Sequence, residues 1–85
     1  MIKIYDKEEP SLKEVQQIVK GMVEGLTLSN GDGFFFNEEG NILGLPKNSP
    51  ATALLEESYP EKKYFGTFNI LGNVVIIKKA IRKNW

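Results

Sequence analysis

Asn37-Glu38-Glu39-Gly40-Asn41-Ile42-Leu43-Gly44-Leu45-Pro46-Lys47-Asn48 divides the chain in two and dictates its own backbone residue by residue. Asparagine tolerates positive φ and caps turns, glycine permits it without steric cost, and proline fixes φ and removes a donor. Asn37, Gly40, Gly44, Pro46 and Asn48 therefore read as structural positions. They predict a tight turn over Asn37 to Gly40, a brief extended piece at Ile42-Leu43 that Gly44 and Pro46 cut off, and an exit into a helix. A loop specified this closely also presents Glu38, Glu39, Asn41 and Lys47 to a partner, because ordered loops on a rigid scaffold often carry recognition.

Upstream of this stretch, Met1-Ile2-Lys3-Ile4-Tyr5 alternates and reads as a first strand. Pro10-Ser11-Leu12-Lys13-Glu14 starts a helix, with Ser11 as cap and Glu14 completing a capping box. Leu12, Val15, Ile18, Val19 and Met22 continue it along one face, and Gly21 is its expected left-handed stop. Met22 to Leu28 and Phe34-Phe35-Phe36 form a hairpin about the turn Asn30-Gly31-Asp32-Gly33. Phe35 must face away from its two neighbours, toward the second helix or an oligomer interface.

Downstream, Ser49-Pro50 caps and opens a second, short helix that ends at Tyr59-Pro60. A strand over Tyr64 to Leu71, a Gly72-Asn73 turn and a last strand over Val74 to Lys78 make a final hairpin. Ala80 to Trp85 is left over, with residues 81–85 as a tail. The expected fold is α+β, one domain over residues 1–85. It has a mostly antiparallel sheet of about five strands, one amphipathic helix packed on it, and a second helix before the final hairpin.

Composition narrows the chemistry. A chain of 85 residues supports one core and no second domain. It holds neither cysteine nor histidine. That removes thiol redox chemistry, Cys–His and Ser–His dyads and zinc sites of the usual kind. The adjacent pairs Glu38-Glu39 and Glu56-Glu57 point apart on a strand or helix, so neither converges on one substrate atom. Asp32 and Glu38 lack the alternating ligands of a calcium loop. Gly31-Asp32-Gly33 lacks the following helix of a phosphate loop. The expectation is no catalytic residue, no metal and no cofactor, with a small-ligand binder as the third reading.

Net charge is zero, yet all 11 acidic residues lie within residues 1–61, and from Lys62 onward the chain carries six basic residues and no acidic one. Internal complementarity accounts for such a split, and so does a partner surface. In the second case Lys78, Lys79, Arg82 and Lys83 contact phosphates and Trp85 stacks on a base. The longest apolar run, Val74-Val75-Ile76-Ile77, is far too short to span a membrane. The opening residues lack the order of a signal peptide. A cytoplasmic protein is expected. Aromatic residues on both sheet faces leave apolar surface that a homodimer would cover.

The pattern N-E-E-G-x-x-x-G-L-P-x-N at residues 37–48, with Gly66-Thr67-Phe68-Asn69-Ile70-Leu71-Gly72 after it, resembles a family of small uncharacterised domains from bacteriophages and mobile elements. The resemblance covers residues 1–72 and stops before the apolar strand and basic tail. It implies a gene product acting in a bacterial cytoplasm, where small accessory proteins often bind host components. The leading expectation is a non-enzymatic protein that binds a host protein through Glu38, Glu39, Asn41 and Lys47. The runner-up is a nucleic-acid accessory protein that uses the basic C-terminal segment.

Overall fold

Val74-Val75-Ile76-Ile77 has no polar face to turn to solvent, and all four residues are buried. Such a run belongs inside a sheet covered on both sides. The computed structural model describes residues 1–60 and 69–85. Within them the elements are β1 (Ile2–Tyr5), α1 (Leu12–Val19), β2 (Val23–Thr27), β3 (Gly33–Asn37), the single turn α2 (Gly40–Leu43), α3 (Ser49–Ser58), β4 (Val74–Ile77) and a 3-10 turn over Lys79–Ile81. The strand order is β1-β4-β3-β2. β1 runs parallel to β4, with Ile2 opposite Val74, whereas β4–β3 and β3–β2 are antiparallel.

The α+β architecture expected from the sequence is the one observed, with four strands in the sheet among the described residues. The final hairpin is corrected. β4 has β1 on one side and β3 on the other, so no ladder position remains for a strand leading into Gly72-Asn73. Leu71 instead makes an isolated antiparallel bridge with Lys47. Most of the strand expected over Tyr64 to Leu71 lies outside the described residues.

Alternation sorts the side chains onto two faces. Phe34, Val74 and Ile76 point to one face, where Ala51 and Leu55 of α3 join them with Leu28 and Ile70. Phe36 lies edge-on to Phe34 there, with ring centroids 5.9 Å apart. Phe35, Val75 and Ile77 point to the other face and meet Val15 and Val19 of α1. Phe35 is thus the odd ring, as the pattern requires. It lies on the side of α1 and Trp85, not beneath the second helix.

The helix ends show which local signals hold. Ser11 Oγ accepts the Glu14 N–H at 3.1 Å, as a capping serine should. The Glu14 carboxylate takes the Tyr5 hydroxyl instead of reaching back to Ser11. Desolvation and then that hydrogen bond push the Tyr5 phenol up to about 12. At the other end Lys20, not Gly21, takes the left-handed conformation with φ 68°, and its N–H returns to Gln16 O. Two orphan carbonyls of that last turn are met by side-chain amides. Asn73 Nδ2 donates to Ile18 O and Asn37 Nδ2 donates to Val19 O, both at 3.0 Å.

Asn48, not Ser49, caps α3: its Oδ1 accepts the Ala51 N–H at 3.2 Å, and Ser49-Pro50 falls inside the first turn. The same carboxamide donates to Gly72 O at 2.8 Å and to Met1 O at 3.3 Å, joining α3 to the residues that lead into β4 and β1. Thr52 Oγ1 extends the junction by donating to Asn48 O and accepting the Ile70 N–H. Asn48→Ala removes the side-chain partners of the buried Gly72 O and of the Ala51 N–H at the helix end, while Met1 O keeps the Val74 N–H. It should lower the unfolding free energy by roughly 2–4 kcal/mol in urea denaturation. Ser49→Ala should change it by less than about 0.5 kcal/mol.

Asp32 ties the β2–β3 turn to the exit of β4. Its carboxylate is buried and accepts from Lys79 N at 2.8 Å, Lys78 Nζ at 2.9 Å and Asn30 Nδ2 at 3.1 Å. Burial works against the charged form, but the Lys79 N–H and the Lys78 ammonium outweigh it and hold the carboxyl below its usual range. A lowered folded-state pKa gives stability that is complete above the unfolded value, about pH 4. It is lost as pH falls through the folded value. Acid titrations of stability should therefore show a component below about pH 4 that Asp32→Asn removes. A mutant curve with the wild-type acid limb would contradict this.

Candidate functional site

Residues 37–48 fold into a surface loop held at both ends and free in the middle. At its start Asn37 is buried, 3% exposed, and its Oδ1 accepts the Glu39 N–H at 2.7 Å while its Nδ2 holds the end of α1. The Glu38 N–H bonds Met22 O at 3.1 Å, continuing the β2–β3 pairing by one residue. At its end Gly72 N–H bonds Pro46 O at 2.7 Å, Lys47 pairs with Leu71, and Asn48 makes the junction described above. All five structural positions named from the sequence lie in this loop, and the asparagines at its two ends carry its anchoring side-chain bonds.

The middle differs from the expectation. Ile42-Leu43 is not extended: it belongs to α2, closed by Leu43 N–H to Glu39 O at 3.0 Å and Leu45 N–H to Gly40 O at 3.0 Å. Asn37 explains this. By bonding the Glu39 N–H it turns the chain at the point where a helical turn can start. Gly44 ends it in the left-handed conformation, φ 66°, which favours glycine. Gly40 is chosen for room, since a Cβ there would stand 3.0 Å from Leu71 Cβ.

Glu38, Asn41 and Lys47 are exposed and Glu39 is half-buried. Glu38 and Lys47 sit at opposite ends of the loop, with α2 between them. The most exposed large apolar side chain on the described surface is Ile42, at 81%, and Leu43 beside it is 52% exposed. Sequence reasoning missed both, because an apolar pair between turn residues was assigned to an extended piece. The signal that could have found them is Gly40 and Gly44 at helical-turn spacing, which leaves Ile42 no neighbouring element to cover it. A surface cleft of about 370 Å³ adjoins the loop's end, lined by Met1, Ile2, Pro46, Lys47, Pro50 and Asn73.

Two of the basic C-terminal side chains, Lys78 and Arg82, are drawn into internal bonds. Lys78 pairs with Asp32, and Arg82 donates to Gly31 O at 2.8 Å and to Trp85 O at 2.6 Å. Trp85 meets Phe35 edge-on, with centroids 4.8 Å apart, and donates its indole N–H to Pro10 O at 2.8 Å. Lys79 lays its aliphatic chain against Gly31, and Lys83 is exposed. These residues do not gather into one patch with the loop at residues 37–48. Among the described residues no helix is long and apolar enough to cross a membrane.

No curated protein and no solved structure matches the chain. A family model described as a domain of unknown function, DUF3846, matches residues 2–80. That span takes in both ends of the anchored loop and all four strands, and the chain belongs to the DUF3846 family.

Proposed function

We propose that this domain is a non-enzymatic accessory protein of phage or mobile-element origin that acts in a bacterial cytoplasm by binding a host protein through the α2 loop. The observation that carries this reading is an apolar pair held out on an anchored turn. Ile42 and Leu43 stand in solvent while Asn37 and Asn48 fix the chain on either side. Exposed apolar side chains on a pre-ordered backbone bind with little ordering cost, and such residues often dominate an interface. Glu38, Asn41 and Lys47 would form its polar rim, with Glu39 at its inner edge.

The nucleic-acid reading has less support. Arg82 is held by two carbonyls and the Trp85 ring is turned edge-on to Phe35, so neither is presented for phosphate contact or base stacking.

The test is capture of host protein by the tagged domain from nuclease-treated bacterial lysate, with wild type and the Ile42→Asp/Leu43→Asp variant in parallel. The expected result is a discrete host protein whose retention falls roughly tenfold or more in the variant, at unchanged thermal stability. Alanine at Glu38, Glu39, Asn41 and Lys47 should weaken capture less. Undiminished capture by the double variant would remove the site, and recovery that vanishes with nuclease would favour the basic segment instead.

A further inference from the structure

Asn30-Gly31 is the only asparagine–glycine step in the sequence, and it lies at the tip of the β2–β3 hairpin. The Gly31 N–H donates to Leu28 O at 2.9 Å and the Leu28 N–H donates to Asp32 O at 2.8 Å, which closes a loop over Ser29, Asn30 and Gly31. Such a loop needs a left-handed last residue, and Gly31 supplies it with φ 93°. Asp32 holds the Asn30 carboxamide at both ends. The amide oxygen Oδ1 accepts the Asp32 N–H at 3.0 Å, and Nδ2 donates to Asp32 Oδ2 at 3.1 Å. The turn selects both residues for their conformation, and their adjacency makes them reactive.

Asparagine followed by glycine is the dipeptide most prone to deamidation, because no side chain shields the attacking nitrogen. The Gly31 main-chain nitrogen adds to Asn30 Cγ, and the new C–N bond closes a cyclic succinimide. The Cγ–Nδ2 bond breaks, and ammonia leaves with the proton from Gly31 N. Water then opens the ring at either carbonyl, giving aspartate or isoaspartate without any change of oxidation state. In the folded chain each reacting group is engaged. The Gly31 N–H is bonded to Leu28 O, Gly31 O accepts from Arg82 Nη1 at 2.8 Å, and Asp32 fixes the carboxamide. The Lys79 side chain covers Gly31 so closely that a Cβ there would stand 2.6 Å from Lys79 Cδ.

We propose that Asn30 is a self-modification site whose deamidation is gated by opening of this turn, and whose product unfastens Asp32 from the exit of β4. Asp32 makes that tie through Lys79 N and Lys78 Nζ. Aspartate at position 30 exchanges the Nδ2 donor for a carboxylate oxygen facing Asp32 Oδ2, and two carboxylates in contact repel. Isoaspartate lengthens the main chain by a carbon and spoils the fit of the loop between Leu28 and Asp32. Water is the only reactant and ammonia is lost, so the conversion runs one way and loosens the turn that restrained it.

The test holds the full-length protein folded in neutral buffer and unfolded in guanidinium chloride, and follows loss of Asn30 by peptide mapping in a mass spectrometer. Hydrogen exchange of the Gly31 amide measures how rarely the attacking nitrogen is released. Folding should slow deamidation by about tenfold or more, and by at least the Gly31 protection factor, because attack also requires the carboxamide to leave Asp32. A smaller slowing on either measure would overturn the gate. Asn30→Asp, which makes one product directly, should raise the unfolding equilibrium constant about threefold or more over wild type in urea titration. A smaller rise, or a fall, would overturn the unfastening of Asp32.

Discussion

The Asn48 carboxamide closes three distant parts of the chain on one another. Its oxygen accepts the Ala51 N–H at the start of α3, and its nitrogen donates to Gly72 O just before β4 and to Met1 O just before β1. The parallel pairing of β1 with β4 begins one residue past these carbonyls in β1 and two residues past in β4, at Ile2 and Val74. Asparagine is the side chain of this length that both donates twice and accepts, whereas aspartate would set a negative charge against two carbonyl oxygens. Asn37 and Asn73 repeat the device at the end of α1, where each meets a carbonyl that the helix itself leaves unpaired. A small domain without cysteine thus secures its chain crossings with buried amides in place of disulfides.

Each layer of the fold depends on these crossings. α1 packs on one face and α3 on the other, so β4 is buried throughout and β3 at every residue but the half-buried Phe36. The consequence is visible in composition: β4 is unbroken Val and Ile, and β3 carries three consecutive phenylalanines sorted to alternate faces. Much of this was legible in the sequence, because strand alternation, the Ser11 cap and the Asn30-Gly31-Asp32-Gly33 turn are local signals. The place of β4 was not legible. A glycine-asparagine turn before an apolar run reads as a hairpin, and only long-range pairing with β1 and β3 shows it to be the inner strand. α2 was missed for a similar reason, since the hydrogen bond from the Glu39 N–H to Asn37 that turns the chain there cannot be inferred from either residue alone.

The candidate site inherits its rigidity from the same amides. Asn37 and Asn48 hold the ends of the loop, and Glu38, Asn41 and Lys47 are exposed on it. Sequence could name the rim of the candidate surface but not its centre: the exposure of Ile42 follows from α2 being a lone helical turn with nothing packed over it. The basic tail differs in kind. Its charges suggested a partner, yet Asp32 and Gly31 O already engage Lys78 and Arg82, and Glu9 holds the backbone of Lys83, Asn84 and Trp85.

The asparagine junction should be as stable as the fold it joins. Native-state hydrogen exchange tests this directly at the amides of Asn48, Ala51, Thr52 and Ile70, which bond to Ile70 O, Asn48 Oδ1, Asn48 O and Thr52 Oγ1. Opening free energies equal to that of global unfolding, matching the amides of β4, are expected. Exchange of these four amides at the rate of exposed loop positions, with β4 still protected, would show that the junction opens independently and that the fold does not depend on it.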